Sequence, residues 1–178
     1  RGLIRRLWLL TRLRGQIRMI KMGGILLALI AGAVNAVSAQ ESCRRVPIDG
    51  VEIHVCVSGE GPRTVVLAAG ASQTSGTWSE LVPELAMTAR VVSFDRPGLG
   101  RSDPGLAPRT PTRIANELRD LLRAVGVDGP VVLVGHSMGG IHVLRYASLF
   151  PEHVVGVAIL DTPQARFEEA RRSLLTAE

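Results

Sequence analysis

The segment 131–140 reads VVLVGHSMGG, and it decides the fold. Its first half is a short apolar run of the kind that forms a buried strand. Its second half fits the pattern G-x-S-x-G, in which a serine occupies a very tight turn between a strand and a helix. Side chains beside such a turn would collide with the backbone, and Gly135 and Gly139 remove them. We therefore predict a strand, a turn that presents Ser137, and a helix that Gly140 allows to pack close to the sheet.

Apolar runs and helical patterns alternate on both sides of this segment. The other predicted long strands are short apolar runs: Thr64–Ala68, Arg90–Phe94 and Val154–Leu160. The predicted helices carry apolar residues at three- and four-residue spacing, over 77–87, 112–125 (with Thr112 as its cap), 138–150 and 164–175. Apolar strands that alternate with helices are typical of an α/β fold, in which helices cover both faces of a mostly parallel sheet.

Asp49 and Gly50 predict a β-hairpin, because both residue types tolerate the positive φ that a two-residue turn requires. Folding the chain there places Cys43 opposite Cys56, in a pair whose Cα atoms lie about 4.5 Å apart and within disulfide range. We predict an N-terminal antiparallel hairpin with a Cys43–Cys56 disulfide; the alternative is two unpaired thiols. Two cysteines are too few for a structural zinc site, and no pair of histidines lies nearby at ligand spacing, so no metal is expected.

The charge of the chain is unevenly distributed. Residues 1–39 hold seven of the 21 basic residues and no acid, so residues 40–178 hold 14 basic and 16 acidic residues and carry a net −2. The overall charge of +5 therefore comes from the first 39 residues. A mildly acidic region with few aromatic residues lacks the basic face and stacking side chains of a nucleic-acid-binding surface. We expect no nucleic-acid partner.

The first 39 residues have the order of a secretory signal peptide. Basic residues precede an uncharged, mostly apolar run at 23–37, and Val37 and Ala39 provide the short side chains that a signal peptidase recognises. We predict a cationic leader over 1–39, cleaved after Ala39, and a secreted or periplasmic region over 40–178. The alternative is an uncleaved membrane anchor, although the apolar run is shorter than the roughly 20 residues that span a bilayer.

Three motifs follow one another in the region after the leader. They are AGA at 69–71, DRPGLGRS at 95–102 and GHSMGG at 135–140. In this order they resemble the α/β-hydrolase superfamily, and in particular its serine esterases and lipases, from about Val46 to about Pro163. The resemblance implies the α/β-hydrolase fold with the predicted hairpin at its start. The sequence departs from the family pattern at Ala69, where histidine is commoner, but Gly70 still permits the turn.

The resemblance also implies a role for each motif. Ser137 is the nucleophile, and the backbone N–H groups of Ala71 and Met138 form the oxyanion hole. A serine at this position, where epoxide hydrolases and haloalkane dehalogenases use aspartate, implies acyl transfer through an acyl-enzyme. The expected substrates are small molecules with an ester, thioester, lactone or amide bond, and no cofactor is implied.

The catalytic acid and base are harder to assign. The family order is serine, then an acid, then a histidine, and no histidine follows His153. Asp161 ends a predicted strand at the carboxyl edge of the sheet and is the candidate acid; the alternative is the cap of a following helix. All four histidines are expected to be non-catalytic: His54, His136, His142 and His153.

Charged residues of the motif at 95–102 have simpler expected roles. Asp95 ends a predicted strand, and we expect it to accept hydrogen bonds from the N–H groups of its own glycine-rich loop. We expect Arg96 and Arg101 to be solvated or ion-paired residues of that loop.

The resemblance further implies that residue 178 falls near the start of a cap or lid, which begins at about residue 164. The last two strands of the sheet and the catalytic histidine would then follow. We therefore expect little or no turnover from residues 1–178 alone, and an exposed apolar sheet edge along Val154–Leu160. The alternative function is a non-catalytic binding protein that keeps the α/β-hydrolase pocket and lacks the triad.

Overall fold

The computed structural model describes residues 7–13, 16–21 and 41–162. The strands are β1 (Leu7–Leu13), β2 (Gln16–Lys21), β3 (Ser42–Ile48), β4 (Val51–Ser58), β5 (Thr64–Ala68), β6 (Arg90–Phe94), β7 (Val131–His136) and β8 (Val154–Leu160). The α-helices are α1 (Leu81–Ala86), α2 (Pro111–Ala124) and α3 (Met138–Leu149), and 3₁₀ helices cover Ser75–Trp78 and Pro151–His153. Within the described residues the strands form one sheet in the order β2-β1-β8-β7-β5-β6-β4-β3.

The centre of the sheet is parallel. Strands β6, β5, β7 and β8 pair in parallel, in that order. On the β6 side, the hairpin of β3 and β4 joins the sheet antiparallel through β4. The predicted fold class is confirmed: this is an α/β fold with a mostly parallel sheet and an antiparallel hairpin at its start.

Buried side chains alternate between the two faces of β5. Val66 and Ala68 belong to the core that α2 and α3 cover, whereas Val65 and Leu67 belong to the core on the α1 side. Burying a side chain of this size contributes about 1.5–3 kcal/mol relative to leaving it exposed. A strand with helices on both sides therefore gains from apolar residues at every position, as the sequence of β5 predicts.

The hairpin of β3 and β4 has the predicted register. Asp49 and Gly50 turn the chain with φ angles of 50° and 78°, and Cys43 lies opposite Cys56. The two residues form a disulfide, with their Cα atoms 4.0 Å apart. The bond joins the outermost strand at this side of the sheet to its inner neighbour.

The opposite side of the sheet differs from the prediction. Strand β1 pairs antiparallel with β8, from Leu7 opposite Leu160 to Thr11 opposite Gly156, and β2 pairs with β1. The expected exposed edge along β8 is therefore wrong for this structure, because β1 satisfies the backbone groups of that edge.

Several predictions on the first 40 and last 16 residues lie outside the described residues. These are the apolar run at 23–37, the cleavage site after Ala39, the helix over 164–175 and the start of the cap at about 164. Among the ranges that the structure does describe, no helix is both long and apolar enough to cross a membrane.

Two helix boundaries differ from the predicted ones. The helix expected over 77–87 is divided into the 3₁₀ helix and α1. Helix α2 is capped by Thr110, whose side chain accepts a hydrogen bond from the backbone N–H of Arg113, and the expected cap at Thr112 is wrong. Pro111 explains the shift, because proline suits the first helical position and the cap is the residue before it.

Candidate active site

The turn between β7 and α3 places Ser137 in an unusual backbone conformation. Ser137 has φ 50° and ψ −118°, a conformation that is strained for any residue with a side chain and persists only when its surroundings hold it. Its backbone N–H donates to the carbonyl of Leu160 at 2.9 Å, and its own carbonyl accepts from the N–H of Gly140 and the hydroxyl of Thr162, both at 3.0 Å. The backbone of Ser137 is thus fixed from both sides.

The glycines around Ser137 stand where no side chain fits. A β-carbon at Gly139 would lie 2.1 Å from the carbonyl oxygen of Ala68, and one at Gly135 would lie 2.6 Å from the Cα of Gly140. A β-carbon at Gly140 would lie 2.0 Å from the hydroxyl of Thr162. These contacts place the N-terminus of α3 directly against the end of β5, as the glycine pattern predicts.

A second turn, at 69–73, follows β5 beside this one. Strands β5 and β7 are parallel neighbours with Ala68 opposite Gly135, so both turns lie at the same edge of the sheet. Gln73 closes the second turn, because its side-chain oxygen accepts from the N–H of Gly70 at 2.9 Å. The same oxygen lies 2.9 Å from Nδ1 of His136. Because an amide oxygen only accepts, His136 carries its proton on Nδ1 and joins the two turns.

The side chain of Arg96 stabilises the turn at 69–73. Its guanidinium is buried and donates Nη1 to the carbonyl of Ala69 and Nη2 to the carbonyl of Gly70, the latter at 2.5 Å. The expectation that Arg96 is solvated or ion-paired is therefore wrong. In a trans peptide the C=O and N–H groups point in opposite directions. The bond to the Gly70 carbonyl therefore directs the N–H of Ala71 away from Arg96.

Burial and a neighbouring arginine shift the pKa of Arg96. Burial first, and then the positive charge of Arg109, lower the pKa of Arg96 below its ordinary value, although a guanidinium stays charged in proteins. Arg109 itself pairs with Glu117, with Nη1 2.5 Å from Oε1 and Nη2 2.8 Å from Oε2. Arg96 thus lies within electrostatic reach of the Arg109–Glu117 ion pair.

Asp95 ties the loop after β6 to the rest of the site. Its buried carboxylate accepts from the N–H and hydroxyl of Ser75, at 2.7 and 2.8 Å, and from the N–H of Arg101 at 3.0 Å. The expected bond to its own loop is confirmed at Arg101, and the bonds to Ser75 were not predicted. Burial alone would raise the pKa of Asp95, but the hydrogen bonds from Arg101 and Ser75 outweigh it and the pKa lies below its ordinary value.

The described histidines make their side-chain contacts with groups other than the serine hydroxyl. Within residues 41–162, no hydrogen bond joins any histidine to the Oγ atom of Ser137. His54 lies 3.4 Å from Asp95 in the hairpin, and His153 lies 3.9 Å from Glu152 at the amino end of β8. The geometry therefore offers Ser137 no general base among the described histidines.

His142 is buried in α3 with its Nδ1 atom unpartnered among the described residues. Burial first, and then the charges of Arg96 and Arg109, lower its pKa to about 4. At neutral pH the imidazole is uncharged, which suits a position close to two arginines.

Asp161 follows β8 directly and has φ 45°. Its side chain is exposed, and the next residue, Thr162, hydrogen-bonds the carbonyl of Ser137. The candidate acid thus lies at the predicted edge of the sheet, one residue from a direct contact with the Ser137 turn. Its predicted partner, a histidine, is not supplied by residues 41–162.

Comparison with known proteins agrees with this geometry. The family model of the alpha/beta hydrolase fold matches residues 63–176. The chain belongs to the α/β-hydrolase fold family.

Individual relatives cover similar parts of the chain. The 2-hydroxy-6-oxo-6-(2'-aminophenyl)hexa-2,4-dienoic acid hydrolase of Metapseudomonas resinovorans is 30% identical over 119 residues, which are 66% of this chain and 41% of the relative. The structure of naproxen esterase from Bacillus subtilis has a TM-score of 0.60 at 25% identity, over 66% of this chain and 41% of that one. The epoxide hydrolase CorEH has a TM-score of 0.61 at 25% identity, over 65% and 40%. The chain spans about two fifths of the length of each.

The close approach of α3 to the end of β5 at Gly139 leads to a first prediction. Gly139→Ala should lower the free energy of unfolding by about 1–3 kcal/mol, the usual cost of overpacking a tight core contact. Gly129→Ala is the matched control, because a β-carbon there meets nothing within 4 Å, and its effect should stay within about 0.5 kcal/mol. Urea unfolding followed by circular dichroism measures both. Equal stabilities of the two variants would contradict the packing described for α3.

A second prediction concerns the pH dependence of stability. An unfolded histidine has a pKa of about 6.5, whereas His142 in the fold has a pKa of about 4. Between these values the unfolded chain binds the additional proton, so stability should fall as the pH falls from about 6.5 to 4, by up to about 1.4 kcal/mol per pH unit. His142→Gln should flatten this slope, and His153→Gln should retain it. An unchanged slope in His142→Gln would show that the buried imidazole is not its source.

Proposed function

We propose that the protein is an exported serine hydrolase that cleaves an ester-like bond, with Ser137 as the nucleophile. The observation that carries the proposal is the backbone of Ser137, which is held at φ 50° between β7 and α3. Strain of this kind is typical of functional positions, where the surrounding structure maintains it. The relatives named as hydrolases support the same general class.

The proposed reaction uses the two turns together. The hydroxyl of Ser137 attacks the substrate carbonyl and gives its proton to a general base, which no described histidine supplies at hydrogen-bond distance. The resulting oxyanion accepts hydrogen bonds from the N–H groups of Ala71 and Met138. The base then passes the proton to the leaving group, which departs and leaves an acyl-enzyme, and water hydrolyses this ester to restore the serine. Asp161 is the proposed acid that orients the base.

Serine at the turn favours acyl transfer over the opening of an epoxide. A hydroxyl that attacks a carbonyl gives an acyl-enzyme that water can hydrolyse, and the substrate class is therefore an ester, thioester, lactone or amide. The proposed cellular site is outside the cytoplasm, after cleavage behind Ala39. The Cys43–Cys56 disulfide supports this location, because such bonds persist in oxidising compartments. The alternative is attachment to a membrane through residues 23–37.

One observation favours a second candidate function. Within residues 41–162, Ser137 has no histidine at hydrogen-bond distance. A binding protein with the same fold and no triad would share this feature. The two functions differ in the reactivity of the serine hydroxyl, which can be measured.

The reactivity of Ser137 is the third prediction. The chain of 178 residues should show little or no turnover of a nitrophenyl ester, because it contains no histidine beyond His153. A fluorophosphonate should still label it slowly at one site, with loss of fluoride, and added imidazole should accelerate labelling by supplying a base. Intact and peptide mass spectrometry locate the adduct.

Two variants make this experiment decisive. Ser137→Ala should abolish labelling, whereas Ser148→Ala, a matched change in the following helix α3, should leave the rate unchanged. Labelling at another residue, or none in the presence of imidazole, would overturn the proposed nucleophile and favour the binding protein. Ester turnover at rates typical of a complete triad, lost in Ser137→Ala, would instead overturn the expectation that this chain needs a further histidine.

A fourth prediction assigns Arg96 a positioning role. Its bonds to the Ala69 and Gly70 carbonyls orient the peptide that carries the N–H of Ala71, the proposed oxyanion donor. Loss of one such donor slows comparable enzymes by about 10²–10³-fold. Arg96→Ala should therefore slow imidazole-assisted phosphonylation of Ser137 by roughly tenfold or more. Arg96→Lys should recover part of the rate, because an ammonium can still bind a carbonyl.

Arg101→Ala is the control for this role, because Arg101 contributes only its backbone N–H to the network at Asp95. It should react as fast as the parent chain. Thermal unfolding of each variant separates a positioning role from misfolding. A folded Arg96→Ala variant with an unchanged labelling rate would contradict the role of Arg96, and leave the role of Ser137 intact.

A further inference from the structure

The hairpin of β3 and β4 brings together three metal-binding side chains. Cys43 and Cys56 face each other across the hairpin, and His54 lies two residues before Cys56 on the same face of β4. Nε2 of His54 is 4.0 Å from Sγ of Cys56. The two sulfurs and a ring nitrogen all lie within 4.8 Å of one another. The sequence-based expectation of no metal counted two cysteines and overlooked the histidine that strand alternation places beside them.

The spacing of these donors suits one zinc ion once the sulfurs are reduced. Two thiolates on a tetrahedral zinc, each with a Zn–S distance of about 2.3 Å, lie about 3.8 Å apart. The Cα atoms of Cys43 and Cys56 are 4.0 Å apart, so parallel side chains would hold their sulfurs at a similar separation. The distance of 4.0 Å from Nε2 to the sulfur of Cys56 is also close to the spacing of two zinc ligands.

The remaining nitrogen of His54, Nδ1, faces a carboxylate but makes no hydrogen bond in this structure. Nδ1 lies 3.4 Å from Oδ2 of Asp95, and both side chains are buried. Ser75 and Arg101 hold that carboxylate in place. A carboxylate that accepts a hydrogen bond from one ring nitrogen fixes the tautomer and leaves the other nitrogen free to bind a metal.

We propose that Cys43, His54 and Cys56 bind one zinc ion, or a similar soft divalent cation, when the disulfide is reduced. Asp95 orients the imidazole, and water completes the tetrahedral site. A cavity of about 1590 Å³, which Cys43, His54, Cys56 and Asp95 help to line, gives the ion access and room for the water.

The proposed chemistry has two steps, reduction of the disulfide and then binding of the metal by the thiolates. A dithiol reductant gives two electrons and two protons to the disulfide, which becomes two thiols, and the reductant becomes a disulfide. The metal then displaces both thiol protons and binds the thiolates. Disulfide and metal site compete for the same two sulfurs. Oxidation therefore expels the ion, and the bound ion protects the thiols from oxidation.

A cobalt titration of the full chain, carrying no affinity tag, tests the site. The chain is reduced with dithiothreitol, freed of reductant without oxygen, and titrated with Co²⁺. The reduced chain should bind one ion, with a thiolate-to-cobalt charge-transfer band and the intense visible bands of a tetrahedral ion. One equivalent of Zn²⁺ should remove both and slow alkylation of the thiols. The oxidised chain should show neither band, and this comparison needs no substitution.

Variants identify the ligands. His54→Ala, Cys43→Ser and Cys56→Ser should each lose tetrahedral Co²⁺ binding, whereas His153→Ala should retain it. Asp95→Asn should weaken binding by about 10–100-fold, the usual effect of losing a carboxylate behind a histidine ligand. The proposal is overturned if the reduced parent chain gives no stoichiometric charge-transfer band, or if folded His54→Ala binds Co²⁺ with the parent affinity. Neither outcome bears on Ser137, so the two proposals stand or fall separately.

Discussion

The contact between Gly139 and the end of β5 is the constraint on which the rest of the site depends. Helix α3 begins so close to β5 that a β-carbon at this position would lie 2.1 Å from the carbonyl oxygen of Ala68. The residue before α3 joins it to β7 with a positive φ of 50°. The strain at Ser137 thus accompanies a main-chain contact that leaves no room for a side chain at Gly139.

The second turn of the site is held by a buried charge. A guanidinium out of contact with water is costly unless its donors are bonded, and Arg96 bonds the carbonyls of Ala69 and Gly70. The Gly70 carbonyl also accepts from the backbone N–H of Gln73 at 3.3 Å, so the guanidinium and the backbone of the turn hold it together. The neighbouring histidine on α3, His142, accommodates this charge by remaining unprotonated. Arg96 therefore orients the turn, and its charge adds to the burial that keeps His142 unprotonated.

Sequence patterns predicted the elements that depend on local chemistry. The register of the β3–β4 hairpin follows from the positive φ of Asp49 and Gly50, and the turn at Ser137 follows from its glycines. The patterns failed where a contact joins residues far apart in the chain. Arg96 lies in a glycine-rich loop that looks solvated, and only the tertiary fold shows that it returns beneath the end of β5. No spacing in the sequence links residue 54 to residue 95.

A single carboxylate connects the hairpin to the turn at 69–73. Asp95 accepts hydrogen bonds from Ser75 and Arg101 and approaches His54, while the next residue, Arg96, binds the carbonyls beyond β5. These contacts are contiguous, so a rearrangement of the hairpin at its cysteines reaches a residue adjacent to Arg96. The ordering of the loop by three backbone and hydroxyl donors limits how far such a change can travel, because those donors hold the carboxylate whatever happens in the hairpin. Asp95 therefore keeps its position at the start of the loop that carries Arg96, even where the hairpin rearranges.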